Sequence, residues 1–241
     1  MNTLVILAGG KSSRMGNDKT FLPYQGTTFL GHLLQKADGI FDQVLISAGS
    51  REHGNTIDQW VSKNPLLCPG LQPEIVIDCY DSIGPMGGLL SIFEQTRLEE
   101  FAAVAVDLPE AAMPVLAALL ERCRQFASIQ ASRQMDLQPD LYGTYSERQA
   151  PVQKETAAVM FTFHSGHIET CAAAYNRRAY ALLKQAMEQN VHSLVRALGM
   201  EHIDLLTPAD IQKLSPAFAE LNFEQSFQNI NTAEEFQALR F

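Results

Sequence analysis

The densest chemistry lies in one short stretch, Gly9-Gly10-Lys11-Ser12-Ser13-Arg14-Met15-Gly16-Asn17-Asp18-Lys19. Two adjacent glycines let a backbone approach a ligand without a Cβ clash, or adopt positive φ. Consecutive N–H groups in such a loop form an anion-binding nest. Arg14 and Lys19 add positive charge, arginine as a bidentate clamp and lysine as a point charge on phosphate. Two familiar phosphate loops are excluded. A Walker A loop would need glycine where Val5 stands, and the dinucleotide fingerprint would need glycine where Lys11 stands. A solvated loop with incidental charges remains the alternative reading of the glycine pair and lysine taken alone.

Asp107 is the second feature, in Val104-Ala105-Val106-Asp107-Leu108-Pro109. A carboxylate just past an apolar run, followed by proline, is placed to hold Mg²⁺ against phosphates, because that ion takes only one or two protein carboxylates. Asp78 follows another apolar run and precedes Gly84-Pro85-Met86-Gly87-Gly88. By itself it reads as a turn or helix cap. The amides of Asn229 and Asn231 could complete a hard-cation shell or hold a phosphate, or serve only as turn chemistry. No Ser/His/Asp or Cys/His set demands another reaction. His164 and His167 read as solvated loop residues.

These residues need a frame. Apolar runs at Thr3–Ala8, Gln43–Ser47, Glu74–Asp78, Ala102–Val106 and Ala157–Phe163 read as strands buried on both faces. Helical periodicity covers Phe29–Ala37, Gly87–Gln95, Met113–Phe126 and Ala172–Glu188. Alternating strands and helices imply an α/β fold, a Rossmann-like three-layer sandwich with a mostly parallel, mixed central sheet. In such sheets ligands sit beyond the carboxyl ends of strands, where the glycines and both aspartates fall. A single domain over 1–241 is expected, with a loop or small insertion at about 130–156. A short strand at His202–Leu206 and a last helix capped by Thr232 with Glu235 complete the expectation.

The string Leu7-Ala8-Gly9-Gly10-x-Ser12-x-Arg14-Met15-Gly16-x-Asp18-Lys19 resembles the signature of the molybdenum cofactor guanylyltransferases, the MobA-type branch of the nucleotidyltransferases. Phe21 to Leu30 resembles the stretch that follows it in the family, and Gly84-Pro85-Met86-Gly87-Gly88 resembles the family's Gly-Pro-Leu-Ala-Gly. Asp107-Leu108-Pro109 matches an Asp-x-Pro whose aspartate binds metal, although Glu110-Ala111-Ala112 replaces the usual aromatic or hydrophobic continuation. Asn229-Ile230-Asn231-Thr232 resembles an Asn-x-Asn-Thr segment. The family's Gln-Pro-Leu before Ala172 is missing, so the likeness is strong over Leu7–Pro109 and patchy beyond.

The resemblance implies a nucleotide-diphospho-sugar transferase-like fold and a reaction. GMP passes from GTP to the phosphate of molybdenum–molybdopterin, giving the guanine dinucleotide cofactor and pyrophosphate. Arg14, Lys19 and Asp107 are the expected catalytic residues. Leu7, Ala8, Gly9, Gly10, Lys19, Ser47, Asp78 and Asp107 are the expected nucleotide contacts, with serine at position 47 where the family often has asparagine. Asp107 is the expected ligand of Mg²⁺ or Mn²⁺, and Asn229 and Asn231 face the acceptor. Cytidylyl relatives more often open Ala-Ala-Gly, so Leu7-Ala8-Gly9-Gly10 favours guanine. The alternatives are a cytidylyl or sugar-phosphate nucleotidyltransferase of the same fold, or a non-catalytic nucleotide- or molybdopterin-binding relative.

Bulk properties agree with this frame. A net charge of −9 over 241 residues argues against nucleic acid as a partner. The partners expected are GTP, molybdopterin, and molybdopterin-carrying or molybdoenzyme-maturation proteins. Cys68, Cys79, Cys123 and Cys171 match no zinc spacing and read as reduced thiols. Neither a leader nor a membrane span is read, and the cytoplasm is the expected location.

Overall fold

The computed structural model describes residues 1–9, 18–80, 82–136, 155–230 and 235. Gly10, Arg14, Asn231 and Thr232 lie outside them, as does 137–154 of the expected loop.

Strand β1 (Thr3–Leu7) is buried throughout. A small hairpin follows, β2 (Pro23–Tyr24) and β3 (Thr27–Thr28). Its two turn residues, Gln25 and Gly26, take positive φ of 44° and 80°, which matches the twist of a two-residue hairpin. The next elements are α1 (Phe29–Ala37), β4 (Gln43–Ala48), α2 (Arg51–Lys63), β5 (Glu74–Ile77), α3 (Pro85–Gln95), β6 (Glu100–Ala105) and α4 (Met113–Asp136). Later in the chain come β7 (Ala158–Thr162), β8 (Ile168–Asn176), α5 (Arg177–Glu188), α6 (Leu194–Leu198), β9 (Ile203–Leu206), α7 (Pro208–Leu214) and α8 (Phe223–Ser226).

Seven strands form one sheet in the order β5-β4-β1-β6-β8-β7-β9. The pairs β5/β4, β4/β1, β1/β6 and β7/β9 are parallel, and β8 runs antiparallel to both neighbours. Side chains alternate between two cores, as the period of a strand requires. Leu4 and Ile6 join Leu30, Leu33, Leu116 and Leu120 of α1 and α4. Val5 and Leu7 join Leu89, Phe93 and Leu183 of α3 and α5. Three layers result, as the alternation of strands and helices implies.

Three expectations need correction. The helix expected from Ala172 begins only at Arg177, where Asn176 caps it by accepting the Arg178 N–H at 3.1 Å. Residues 172–176 belong to β8. Three consecutive alanines carry too little bulk to separate the two periods, and alanine favours helix by propensity. Tertiary context decides: Ala172 and Ala174 enter one core, Ala173 and Tyr175 the other. Helix α2 was not anticipated, because it buries only Gly54 and Ile57 and so shows little apolar stripe. The loop expected from about 130 fails over its first residues, because α4 runs to Asp136 and no glycine or proline stands between Gln130 and Asp136.

Among the described residues, no helix is long and apolar enough to cross a membrane. All four cysteines are free, Cys68 and Cys123 buried and Cys79 exposed.

Candidate active site

The carboxyl ends of β1, β4, β5 and β6 deliver the expected residues to one edge of the sheet. Pairing continues one step past the strands. Ala8 N donates to Ser47 O at 2.9 Å, Asp78 N to Ala48 O at 2.8 Å and Val106 N to Leu7 O at 3.1 Å. Leu7 and Ala8 therefore have buried side chains and commit backbone groups to the sheet. They position Gly9, which follows them.

On the β4–β5 side, the buried Ser47 hydroxyl donates to Asp78 Oδ1 at 2.5 Å. The glycines make this approach feasible. A Cβ on Gly9 would run into Asp78 Oδ2 and lie 3.1 Å from Gly49 N. A Cβ on Gly88, in the first turn of α3, would lie 2.6 Å from Ser47 Oγ. Gly9, Ser47, Asp78 and α3 thus enclose one small polar corner.

On the β1–β6 side, Lys19 Nζ meets Asp107 Oδ2 at 2.9 Å, with side chains 16% and 23% exposed. Lys19 opens a short 3₁₀ turn, Lys19–Phe21, whose start is fixed by Asp18. Asp18 accepts the Thr20 N–H at 2.9 Å and pairs with His53 Nε2 at 2.9 Å, in the first turns of α2. Burial pushes the Asp18 carboxyl up, but hydrogen bonds from His53 and Thr20 outweigh it and hold the group below its ordinary value.

Glu110 anchors the loop that carries Asp107. It accepts the Tyr24 hydroxyl at 2.6 Å, Gln25 Nε2 at 2.9 Å and Lys36 Nζ at 3.2 Å. His32 Nε2 lies 3.4 Å away. The His32 contact first, then the Tyr24 hydroxyl and Lys36, hold the Glu110 carboxyl down at about 2 despite burial. Burial and Glu110 together raise the Tyr24 hydroxyl to about 12. The Glu110 substitution that departs from the family pattern thus ties the Asp107 loop to the β2–β3 hairpin and α1.

Two further pieces meet Asp107. The backbone N–H of Ile230 donates to Asp107 O at 3.0 Å, which brings the Asn229 segment alongside. Glu169 on β8 is buried and accepts the Cys171 N–H at 2.6 Å. Burial pushes its carboxyl up, and the charge of Asp107 adds to the push. Register explains the proximity, since Val104 pairs with Ala172 and the same diagonal continued sets Asp107 against Glu169.

The structure therefore gathers Gly9, Lys19, Ser47, Asp78, Asp107 and Asn229 at one sheet edge. Sequence reasoning missed Asp18–His53, Glu110 and Glu169. The sequence carries little signal for them, since α2 shows little apolar stripe and β8 hides among alanines; Glu110 stands out only as a departure from the family pattern.

Comparison with known proteins gives the family and the fold. Residues 4–203 match the family model of the MobA-like NTP transferase domain. A probable molybdenum cofactor guanylyltransferase of Bacillus cereus (strain ATCC 10987 / NRS 248) is 22% identical over 234 residues, spanning 96% of this chain and 92% of that protein. A molybdenum cofactor guanylyltransferase of Xanthomonas euvesicatoria pv. vesicatoria (strain 85-10) is 30% identical over 131 residues, spanning 52% and 58%. Among solved structures, molybdopterin-guanine dinucleotide biosynthesis protein A from Archaeoglobus fulgidus superposes with a TM-score of 0.67 at 15% identity, covering 98% of this chain and 96% of that one. 4-Diphosphocytidyl-2C-methyl-D-erythritol synthase from Anaerococcus prevotii gives 0.56 at 11% identity, covering 98% and 93%. These structural likenesses establish the α/β fold of nucleotidyltransferases.

Proposed function

The chain belongs to the MobA-like NTP transferase family, and we propose that within it the protein transfers GMP from GTP to the terminal phosphate of molybdopterin. The observation that carries this reading is the Lys19–Asp107 pair, 2.9 Å apart, at the same sheet edge as Gly9, Ser47 and Asp78.

Each residue has a chemical part. Gly9 admits the Asp78 carboxylate close to the backbone, and the signature residues after it are assigned the phosphates by the resemblance. Asp78, steadied by the Ser47 hydroxyl, offers a carboxylate that can accept from the N1–H and 2-amino donors of guanine; cytosine presents no such donor pair. An acceptor phosphate oxygen attacks the α-phosphorus, a new P–O bond forms, and the bond to the β-phosphate oxygen breaks to release pyrophosphate. The nucleophile arrives as an anion, so no side-chain base is required. Lys19 stabilises the charge that develops, and Arg14 is assigned the same part by the signature.

Asp107 suits a Mg²⁺ or Mn²⁺ ion by donor chemistry. It is a partly exposed carboxylate at a strand end, and among the described residues no group of three or more acidic, histidine or cysteine side chains could hold a metal by itself. An ion bound there would take its remaining ligands from phosphates and water, as Mg²⁺ does in phosphoryl-transfer sites, and would neutralise phosphate charge. Asn229, next to the Ile230 whose N–H binds Asp107 O, is assigned the acceptor side by the resemblance.

Thermal-shift titration with GTP, CTP, ATP and UTP in the presence of Mg²⁺ tests the donor. GTP should stabilise most, and a preference for CTP would refute guanylyl transfer. Tight GTP binding without pyrophosphate release to any molybdopterin acceptor would leave a binding module rather than an enzyme.

A further inference from the structure

Beyond Asp107, on the side away from Ser47 and Asp78, an open cavity of about 660 Å³ lies between the β7–β8 turn and the segment around α8. Its place follows from topology. Strands β6 and β7 both run antiparallel to β8, so their carboxyl ends share an edge. Asp107 continues from one end and Phe163 from the other. The Ile230 N–H bond to Asp107 O joins the cavity wall to the site already described, because Asn229 lines the cavity.

The lining has a definite chemistry. Phe163 and His167 stack with centroids 6.0 Å apart and planes 15° from parallel. Phe227 packs behind them in the core. Glu224, Gln225 and Gln228 supply a carboxylate and two amides. Glu224 Oε1 accepts the His164 N–H at 2.9 Å, which holds the carboxylate across the gap between the turn and α8. Among the described residues that line it there is no lysine or arginine to clamp a phosphate. Flat aromatic faces, amides and one carboxylate suit a planar heterocycle with paired N–H donors, and the volume falls in the range of small-molecule sites.

We propose that this cavity receives the pterin end of the acceptor, with the Glu224 carboxylate accepting from the N3–H and 2-amino group of its 2-amino-4-oxo pyrimidine ring. The ring then lies on one flank of Asp107 and the donor base on the other, and the acceptor's phosphate arm points between them. This deepens the guanylyltransferase reading and rests on it for the identity of the acceptor.

The test uses two small probes on the full chain. 6-Hydroxymethylpterin carries the donor pair, and 6-hydroxymethyllumazine has oxygen in place of the 2-amino group. Fluorescence titration of the wild-type protein should give at least about tenfold tighter binding of the pterin, since a site built for a donor rejects the analogue that lacks it. Glu224→Gln should lower pterin affinity by about tenfold or more while calorimetric GTP affinity stays unchanged. Equal binding of the two probes, absence of pterin binding, or pterin affinity unaffected by Glu224→Gln would overturn the proposal. Competitive displacement of the pterin by guanosine would also overturn it, by assigning the cavity to the donor base. The wild-type probe comparison stands even if the variant does not fold. Failure of guanylyl transfer reads out separately, as preferred binding of CTP with the pterin preference intact.

Discussion

Replacing Glu110 by glutamine should loosen the loop that carries Asp107, and the size of the effect follows from the charges around it. The carboxyl falls from an ordinary 4.5 to about 2 in the folded chain. At about 1.4 kcal/mol per pK unit this is on the order of 3 kcal/mol of linked stability. The side chain is 31% exposed, so solvent screening reduces the expectation to about 1–2 kcal/mol. The sign is that of a depressed acid. The contribution is complete above the unfolded value near 4.5 and is lost as pH falls toward about 2. Glutamine also deprives His32 of its anion, and His32 Nε2 has no other hydrogen-bond partner among the described residues. For a domain of this size, Glu110→Gln should lower Tm at pH 7 by about 2–8 °C. Differential scanning calorimetry of both proteins between pH 7 and pH 3 measures it, and the gap should narrow below about pH 4.5. An equal gap at pH 3 and pH 7, or none at pH 7, would refute the reasoning. Transfer should slow by up to about a hundredfold if Asp107 moves by an ångström.

Lys19→Met removes the cation 2.9 Å from Asp107. The rate of transfer should fall by about a hundredfold or more, with stability changed by no more than about 1 kcal/mol, as initial rates and thermal melts would show. Gly88→Ala places a methyl 2.6 Å from Ser47 Oγ and 3.0 Å from Leu7 Cδ2. It should displace α3 from the Ser47–Asp78 corner and weaken GTP binding by about tenfold, read by calorimetry, at a stability cost of about 1–3 kcal/mol.

Legibility of the fold in the sequence followed the bulk of the side chains. Runs of branched residues ending in glycine or aspartate located β1, β4, β5 and β6, and with them Gly9, Asp78 and Asp107. Helix α1 has the expected bounds because Phe29, Leu30, Leu33 and Leu34 form an unbroken apolar stripe capped by Thr28. Strand β8 hid among alanines, whose small side chains fit either period. Glu169 was hidden with it. The Glu110 cluster was invisible for another reason: Tyr24, His32 and Lys36 lie 74 or more residues away along the chain, and only the packed hairpin and α1 bring them to the Asp107 loop. The Ser47–Asp78 bond likewise needs the β4–β5 register, which sets Ala48 beside Ile77. Motif likeness could place both residues near a nucleotide but could not pair them.

The most direct measurement is a single incubation of the full chain with GTP, Mg²⁺ and molybdenum–molybdopterin, followed by mass analysis of the products. Guanylyl transfer predicts equimolar pyrophosphate and guanine dinucleotide cofactor, both abolished in Asp107→Asn while the melting curve stays close to wild type. Pyrophosphate and a cytosine dinucleotide from CTP in preference to GTP would contradict it, as would full activity in Asp107→Asn.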